Sequence, residues 1–166
     1  MIRKFQISDT GQVMQIWLSG NEDAHPFIPK EYWRSHFAKV QKQILQAEVF
    51  VCEADGSIQG FIGITDGYIA GIFVDRSCRS CGIGRRLLEY VKQMHSALSL
   101  DVYQKNIRAV DFYRREGFVI VSSQADEDTG EFDFTMSWEK ASEKRKNRLL
   151  KLQNGSGNGS ENFKYL

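Results

Sequence analysis

Apolar and polar positions divide the chain into short alternating runs and longer runs with helical spacing. Ile2 to Ile7 alternates, as a half-buried edge strand does. Ser8 or Asp9 offers an N-cap to a first helix whose Val13, Ile16, Trp17 and Leu18 share a face. Asn21 to Pro29 reads as a loop that holds both of the chain's prolines, with Phe27 and Ile28 between them. A second helix is predicted over Lys30 to Gln46, where Trp33, Phe37, Val40, Ile44 and Leu45 recur near a period of 3.6. Strands follow at Glu48 to Glu53 and Ile58 to Thr65, joined by an Asp55-Gly56 turn. Asp66-Gly67 turns the chain again into a strand over Tyr68 to Asp75. Beyond it come a helix over Gly84 to His95 and a strand over Leu98 to Tyr103. A helix over Asn106 to Glu116, stopped by Gly117, leads to strands at Phe118 to Ser122 and Phe132 to Trp138. This order predicts an α/β domain with a mixed, mostly antiparallel sheet of about six to seven strands and helices on both faces.

The passage from the Tyr68 strand to the Gly84 helix carries the chemistry. Arg79-x-x-Gly82-x-Gly84 sits where a β-branched run ends and an amphipathic one opens. The first N–H groups of a helix have no intrahelical partner, and the helix dipole adds positive charge there. Such a junction holds an anion, most simply a phosphate. Gly82 and Gly84 let a pyrophosphate lie against the main chain, and either can take a positive φ. Arg79, Arg85 and Arg86 add charge suited to phosphate oxygens. The dinucleotide fingerprint is excluded, because Leu87 stands where its third glycine belongs, and no Gly-Lys-Ser/Thr of a P-loop occurs.

Composition narrows the class further. At 166 residues and 42% hydrophobic content the chain suits one globular domain, and a net charge of +1 gives no field that would draw nucleic acid or a membrane. Three cysteines, Cys52, Cys78 and Cys81, are an odd number, and no signal peptide or long apolar span accompanies them. A reducing, cytoplasmic setting is expected. Cys78-x-x-Cys81 has no second cysteine pair or nearby histidine to complete a metal site, so no metal is expected. His25 and His36 match no ligand pattern and read as ordinary packed or polar residues.

Two spaced motifs then converge. Arg79-x-x-Gly82-Ile83-Gly84-x-x-Leu87-Leu88, followed by Asn106-x-x-Ala109-x-x-Phe112-Tyr113-x-x-x-Gly117-Phe118, resembles the GCN5-related N-acetyltransferase (GNAT) superfamily. Short strings such as HPFI, DVYQKN and FYRREGF are similar to small bacterial acetyltransferases of protein lysines or N-termini. The resemblance implies acetyl-CoA as donor and a primary amine as acceptor, with a protein lysine or an N-terminal amine favoured over a small-molecule amine. An acyl-CoA-binding sensor with little turnover is the rival of a different class. On the same resemblance the amides of Gly82, Ile83, Gly84, Arg85, Arg86 and Leu87 hold the pyrophosphate and Arg79 begins the loop. Phe73-Val74 pairs with the pantetheine, the Val74 amide facing the thioester carbonyl, and Asn106 bonds the pantetheine arm. Tyr113 protonates the leaving thiolate as general acid. Phe27 and Ile28, on their stiff loop, together with Tyr68 and Tyr103, form the acceptor wall. Asp66, Tyr68, Asp101 and Tyr103 border the cleft as candidate bases, and none stands out. Direct attack is expected, because no cysteine has an activating histidine.

Residues 1–140 are expected to hold the catalytic domain and 141–152 a basic, helical extension. Residues 153–166 read as a Gly/Ser/Asn linker and terminal peptide that can derive from cloning. Edge strands near the C-terminus suit a monomer or weak homodimer.

Overall fold

The structure, a computed structural model, describes residues 1–151. Its strands are β1 (Ile2–Lys4), β2 (Glu48–Ala54), β3 (Ser57–Thr65), β4 (Tyr68–Val74), β5 (Ala97–Tyr103), β6 (Val119–Ala125) and β7 (Phe132–Glu139). They form one sheet in the order β1-β2-β3-β4-β5-β7-β6, in which only β4 and β5 run parallel. The helices are α1 (Thr10–Ala24), α2 (Lys30–Gln46), α3 (Ile83–Lys92), α4 (Ile107–Arg115) and α5 (Ala141–Lys151). The mixed, mostly antiparallel sheet with helices on both faces is the architecture that the sequence predicts.

Two apolar layers hold the helices to the sheet. Val13, Ile16 and Trp17 of α1 pack with Trp33, Val40 and Ile44 of α2 against Val49, Val51 and Phe61. On the opposite face Leu87, Leu88 and Val91 of α3 and Val110 and Tyr113 of α4 cover Phe50, Ile62, Ile69, Leu100 and Met136. The two strand faces alternate as the pleat requires. Tight turns set the hairpin registers: Asp55 and Gly56 both take positive φ (52° and 75°), as do Asp66 and Gly67 (50° and 76°).

Some boundaries differ from the sequence pattern. β1 stops at Lys4, because Arg3 turns its guanidinium onto Asp9 (2.8 and 3.0 Å) and Asp9 accepts from the Gln6 amide, folding Ile7–Asp9 into a 3₁₀ turn. α1 runs on through Asn21 to Ala24, residues expected in the loop. The Asn21 side chain is buried there and donates to the Trp17 carbonyl at 3.0 Å, and the helix ends just before Pro26. Phe118 belongs to the core at 2% exposed, and the strand expected to start there begins one residue later and runs on to Ala125. Residues 153–166, read as linker and terminal peptide, lie outside the described residues.

β4 and β5 pair only at Tyr68↔Ser99 and Ile69↔Leu100. Past those positions β4 stays with β3 as far as Val74, while β5 stays with β7 as far as Tyr103. A register shift at Gly63/Ile64 bends β4 as it leaves. The two strands therefore splay, and the site lies in the wedge between them. Gly60 makes the bend feasible: a Cβ there would lie 2.7 Å from the Phe73 carbonyl oxygen.

Candidate active site

An open cleft of about 1120 Å³ occupies the wedge and runs from the start of α3, past the start of α4, to the loop between α1 and α2. At one end Gly82 caps α3 with φ 76°, and the preceding Ser80 also has positive φ at 62°. The first bond inside the helix is donated by the Arg86 amide to the Gly82 carbonyl at 3.0 Å. The amides of Ile83, Gly84 and Arg85 precede it and are left at the helix start. A Cβ on Gly82 would meet no protein atom within 4 Å, so this glycine leaves open space rather than easing internal packing. These free amides, the left-handed glycine and the positive helix end fit a pyrophosphate.

The open edge of β4 forms the middle of the cleft. The Asp75 amide donates to Gln59 of β3, and the Phe73 carbonyl also points toward β3. Strand alternation then turns the N–H and C=O of Ile72 and Val74 toward the cleft. Phe73 contributes only its ring, which stacks on Phe61 with centroids 5.2 Å apart. Across the wedge, the Asn106 side-chain oxygen accepts from the Ala109 amide (3.3 Å), capping α4. Tyr113 lies one helical face further on, 7% exposed, with its ring between Phe112 and Phe118. Burial pushes its phenol well above the usual tyrosine range, so it stays protonated. No described residue hydrogen-bonds its hydroxyl, and Tyr113 lines the cleft.

Carboxylates under an aromatic wall make up the far end. Tyr68 donates to Asp101 (2.9 Å), as does Thr135 (2.5 Å), and Tyr103 donates to Asp126 (3.0 Å). Burial first, then these carboxylates, raises both phenols, which are held as neutral donors. Tyr68 and Tyr103, read from sequence as candidate bases, are therefore donors, and the acceptor oxygens belong to Asp101 and Asp126. Phe27 stands edge-on to Tyr103 (5.7 Å), and His25 stacks on Trp33 (5.2 Å).

Among the residues expected at the site, Phe73, Val74, Arg79, Gly82, Ile83, Gly84, Arg85, Asn106, Tyr113, Phe27, Tyr68 and Tyr103 all line this cleft. Three do not. Ile28 turns inward and is 4% exposed in the α1/α2 core, because the turn closed by its amide on the His25 carbonyl carries it under the loop. Leu87 is wholly buried beneath α3, and Arg86 lies on the exposed outer side; their amides fall within the helical bonding pattern. Arg79 reaches back to Asp23 of α1 (3.0 Å), whose carboxylate also holds Arg76 (2.6 Å). Sequence reasoning missed Asp23, Trp33, Asp126 and Asp133, and it read His25 as an ordinary residue. His25 beside Phe27 in the stiff loop was the one local hint; the two aspartates come from the distant β6–β7 region and carry no spacing signal.

A strand edge opened by splaying, a helix start left with free amides and a buried phenol thus line one cleft. The family model of the acetyltransferase (GNAT) domain matches residues 16–140. This chain belongs to the GNAT acetyltransferase family. It is 39% identical over 140 residues to the peptidyl-lysine N-acetyltransferase YiaC of Escherichia coli K12, covering 83% of this chain and 96% of that protein. Its fold is similar to the solution structure of apo YjaB from Escherichia coli (TM-score 0.69, 22% identity, 83% of this chain and 96% of that one). It is also similar to a GCN5-related N-acetyltransferase from Rhodopseudomonas palustris (TM-score 0.74, 15% identity, 84% and 95%). As a GNAT acetyltransferase, the enzyme moves acetyl from acetyl-CoA to an amine, and the described residues contain no group that could hold a metal ion.

Proposed function

We propose that this GNAT enzyme acetylates lysine side chains of peptides or proteins, by direct attack of the amine on the thioester. The observation that carries the reading is the far end of the cleft, where Phe27, Trp33 and Tyr103 wall an approach that ends on Asp101 and Asp126. An apolar stem with a cationic tip matches such a passage. The name of the relative at 39% identity, a peptidyl-lysine N-acetyltransferase, supports the same acceptor. The three free cysteines fit a reducing compartment, and we assign the enzyme to the cytoplasm on that ground.

The reaction asks three things of the chain. The acceptor must first lose a proton: a free lysine has a pKa of about 10.4, so at pH 7 this costs on the order of 4–5 kcal/mol. Asp101 takes the proton, directly or through water, while Tyr68 and Thr135 hold its carboxylate in place. The nitrogen lone pair then forms the C–N bond, and the carbonyl π pair moves to oxygen, where the Val74 amide stabilises the charge. The oxygen pair then re-forms the carbonyl as the C–S bond breaks. The C–S pair goes to sulfur and takes the Tyr113 proton, and the proton shed by the acylated nitrogen restores the phenol. Burial raises the phenol, so it stays protonated and ready to donate until the thiolate leaves.

Acetyl-CoA-dependent thiol release, with intact-mass analysis, tests both parts against lysine peptides, lysine-free peptides and small amines. Lysine peptides are expected to turn over. Tyr113→Phe is expected to lower kcat by roughly 10²–10³-fold with acetyl-CoA affinity kept. Transfer confined to small amines would overturn the peptide reading, and an unchanged kcat in Tyr113→Phe would overturn the acid.

A further inference from the structure

The end of α1 touches both lips of the cleft. Asp23 holds Arg79 and Arg76 at the phosphate lip. Two residues on, His25 places Nε2 3.3 Å from Nδ2 of Asn106 at the other lip, 81 residues away in sequence. The Asn106 oxygen is committed to the Ala109 amide, which leaves its NH₂ group facing the imidazole. An amide nitrogen can only donate, so Nε2 accepts and the ring proton sits on Nδ1. Nδ1 is buried, and burial, partly offset by a hydrogen bond with the Asn21 backbone, pushes the imidazole down to about 4, so it stays neutral. Trp33 stacked beneath, with Phe27 and Tyr103 edge-on at 5.7 and 5.1 Å, leaves the ring little room to turn.

We infer that His25 is a positioning residue for the donor: its Nε2 and the α4 cap together fix the Asn106 amide, so that one N–H is held by the ring while the other is presented to the pantetheine arm. The inference rests on the reading of Asn106 as a contact of that arm. Its consequence is that the loop forming the acceptor wall also orders the donor site, so substitutions there alter acetyl-CoA binding as well as acceptor choice.

A double-mutant cycle on the full chain reads this directly, through acetyl-CoA affinity by calorimetry and kcat and KM for each substrate. The variants are His25→Ala, His25→Gln, Asn106→Ala and the pair His25→Ala with Asn106→Ala, with thermal melts to follow folding. His25→Ala is expected to weaken acetyl-CoA binding about 5–10-fold, the effect of one hydrogen bond. His25→Gln, whose amide oxygen can accept from Asn106, is expected to recover most of it. The double variant is expected to bind no worse than Asn106→Ala alone. Effects that multiply in the double variant, or a His25→Ala enzyme altered only in acceptor KM, would overturn the inference. Asn106→Ala with undiminished acetyl-CoA affinity would remove its premise while leaving lysine transfer intact, so the two failures are distinguishable.

Discussion

His25 should also be visible in the pH dependence of stability. Its pKa falls from an ordinary 6.5 to about 4 on folding, first because burial disfavours the imidazolium. Between these values the unfolded chain binds more protons than the folded one, so stability is full above pH 6.5 and is lost as pH falls toward 4. The loss is on the order of 2–3 kcal/mol, and His25→Gln should flatten that part of the curve in urea titrations at successive pH values. Asp9, Asp23 and Asp75 act in the same sense but further down: each is held below its usual value of 3.8, by Arg3, Arg76 and Ser77 respectively. Their stabilisation is lost only as pH drops through that lower range. The residue types were legible in the sequence, but their states were not. Tyr68 and Tyr103 look alike as bases or donors until the carboxylates of Asp101 and Asp126 are seen to accept from them.

Two glycines separate binding from folding at the level of elements. Gly82 at the start of α3 has φ 76° and nothing within 4 Å of a built Cβ. Gly82→Ala should therefore cost only about 1 kcal/mol of stability, the strain of a left-handed alanine. The same methyl enters the space a pyrophosphate would fill, and acetyl-CoA affinity should drop about tenfold or more, a fall beyond what 1 kcal/mol of strain explains. Gly60 in β3 presents the opposite case. Its added Cβ would press on the Phe73 carbonyl at 2.7 Å and on Ile83 at 3.1 Å, so Gly60→Ala should cost roughly 1–3 kcal/mol by denaturant titration and disturb the cleft by moving β4. If both variants lost stability equally, this division would be wrong. Gly82 was readable from its place between strand and helix, whereas Gly60 lies in an ordinary alternating run. What demands a glycine there is the approach of β4 and α3, which no local pattern encodes.

For the whole molecule, among the described residues, both core layers are complete without α5, which buries none of its residues and whose Lys146 pairs there only with Glu143 inside the same helix (3.6 Å). A chain ending at Lys140 keeps the bond from the Lys140 amide to the Ser96 carbonyl. It should stay within about 0.5 kcal/mol of the full chain in stability and retain acetyl transfer, as thermal melts and thiol release can check. The extent of each element was largely set by the sequence itself, because periodicity, turn residues and caps act over a few positions; α2 spans Lys30–Gln46 as its spacing predicts. Two of the misjudged ends, at Lys4 and Ala24, are those where Asp9 and Asn21 used side-chain bonds that a pattern of apolar positions does not carry. The phosphate-binding junction was legible for the same local reason. Tertiary structure alone decided which groups meet across the wedge. His25 reaches Asn106 over 81 residues and Tyr103 reaches Asp126 over 23, and the splaying of β4 from β5 opens the space between the strands that both pairs border.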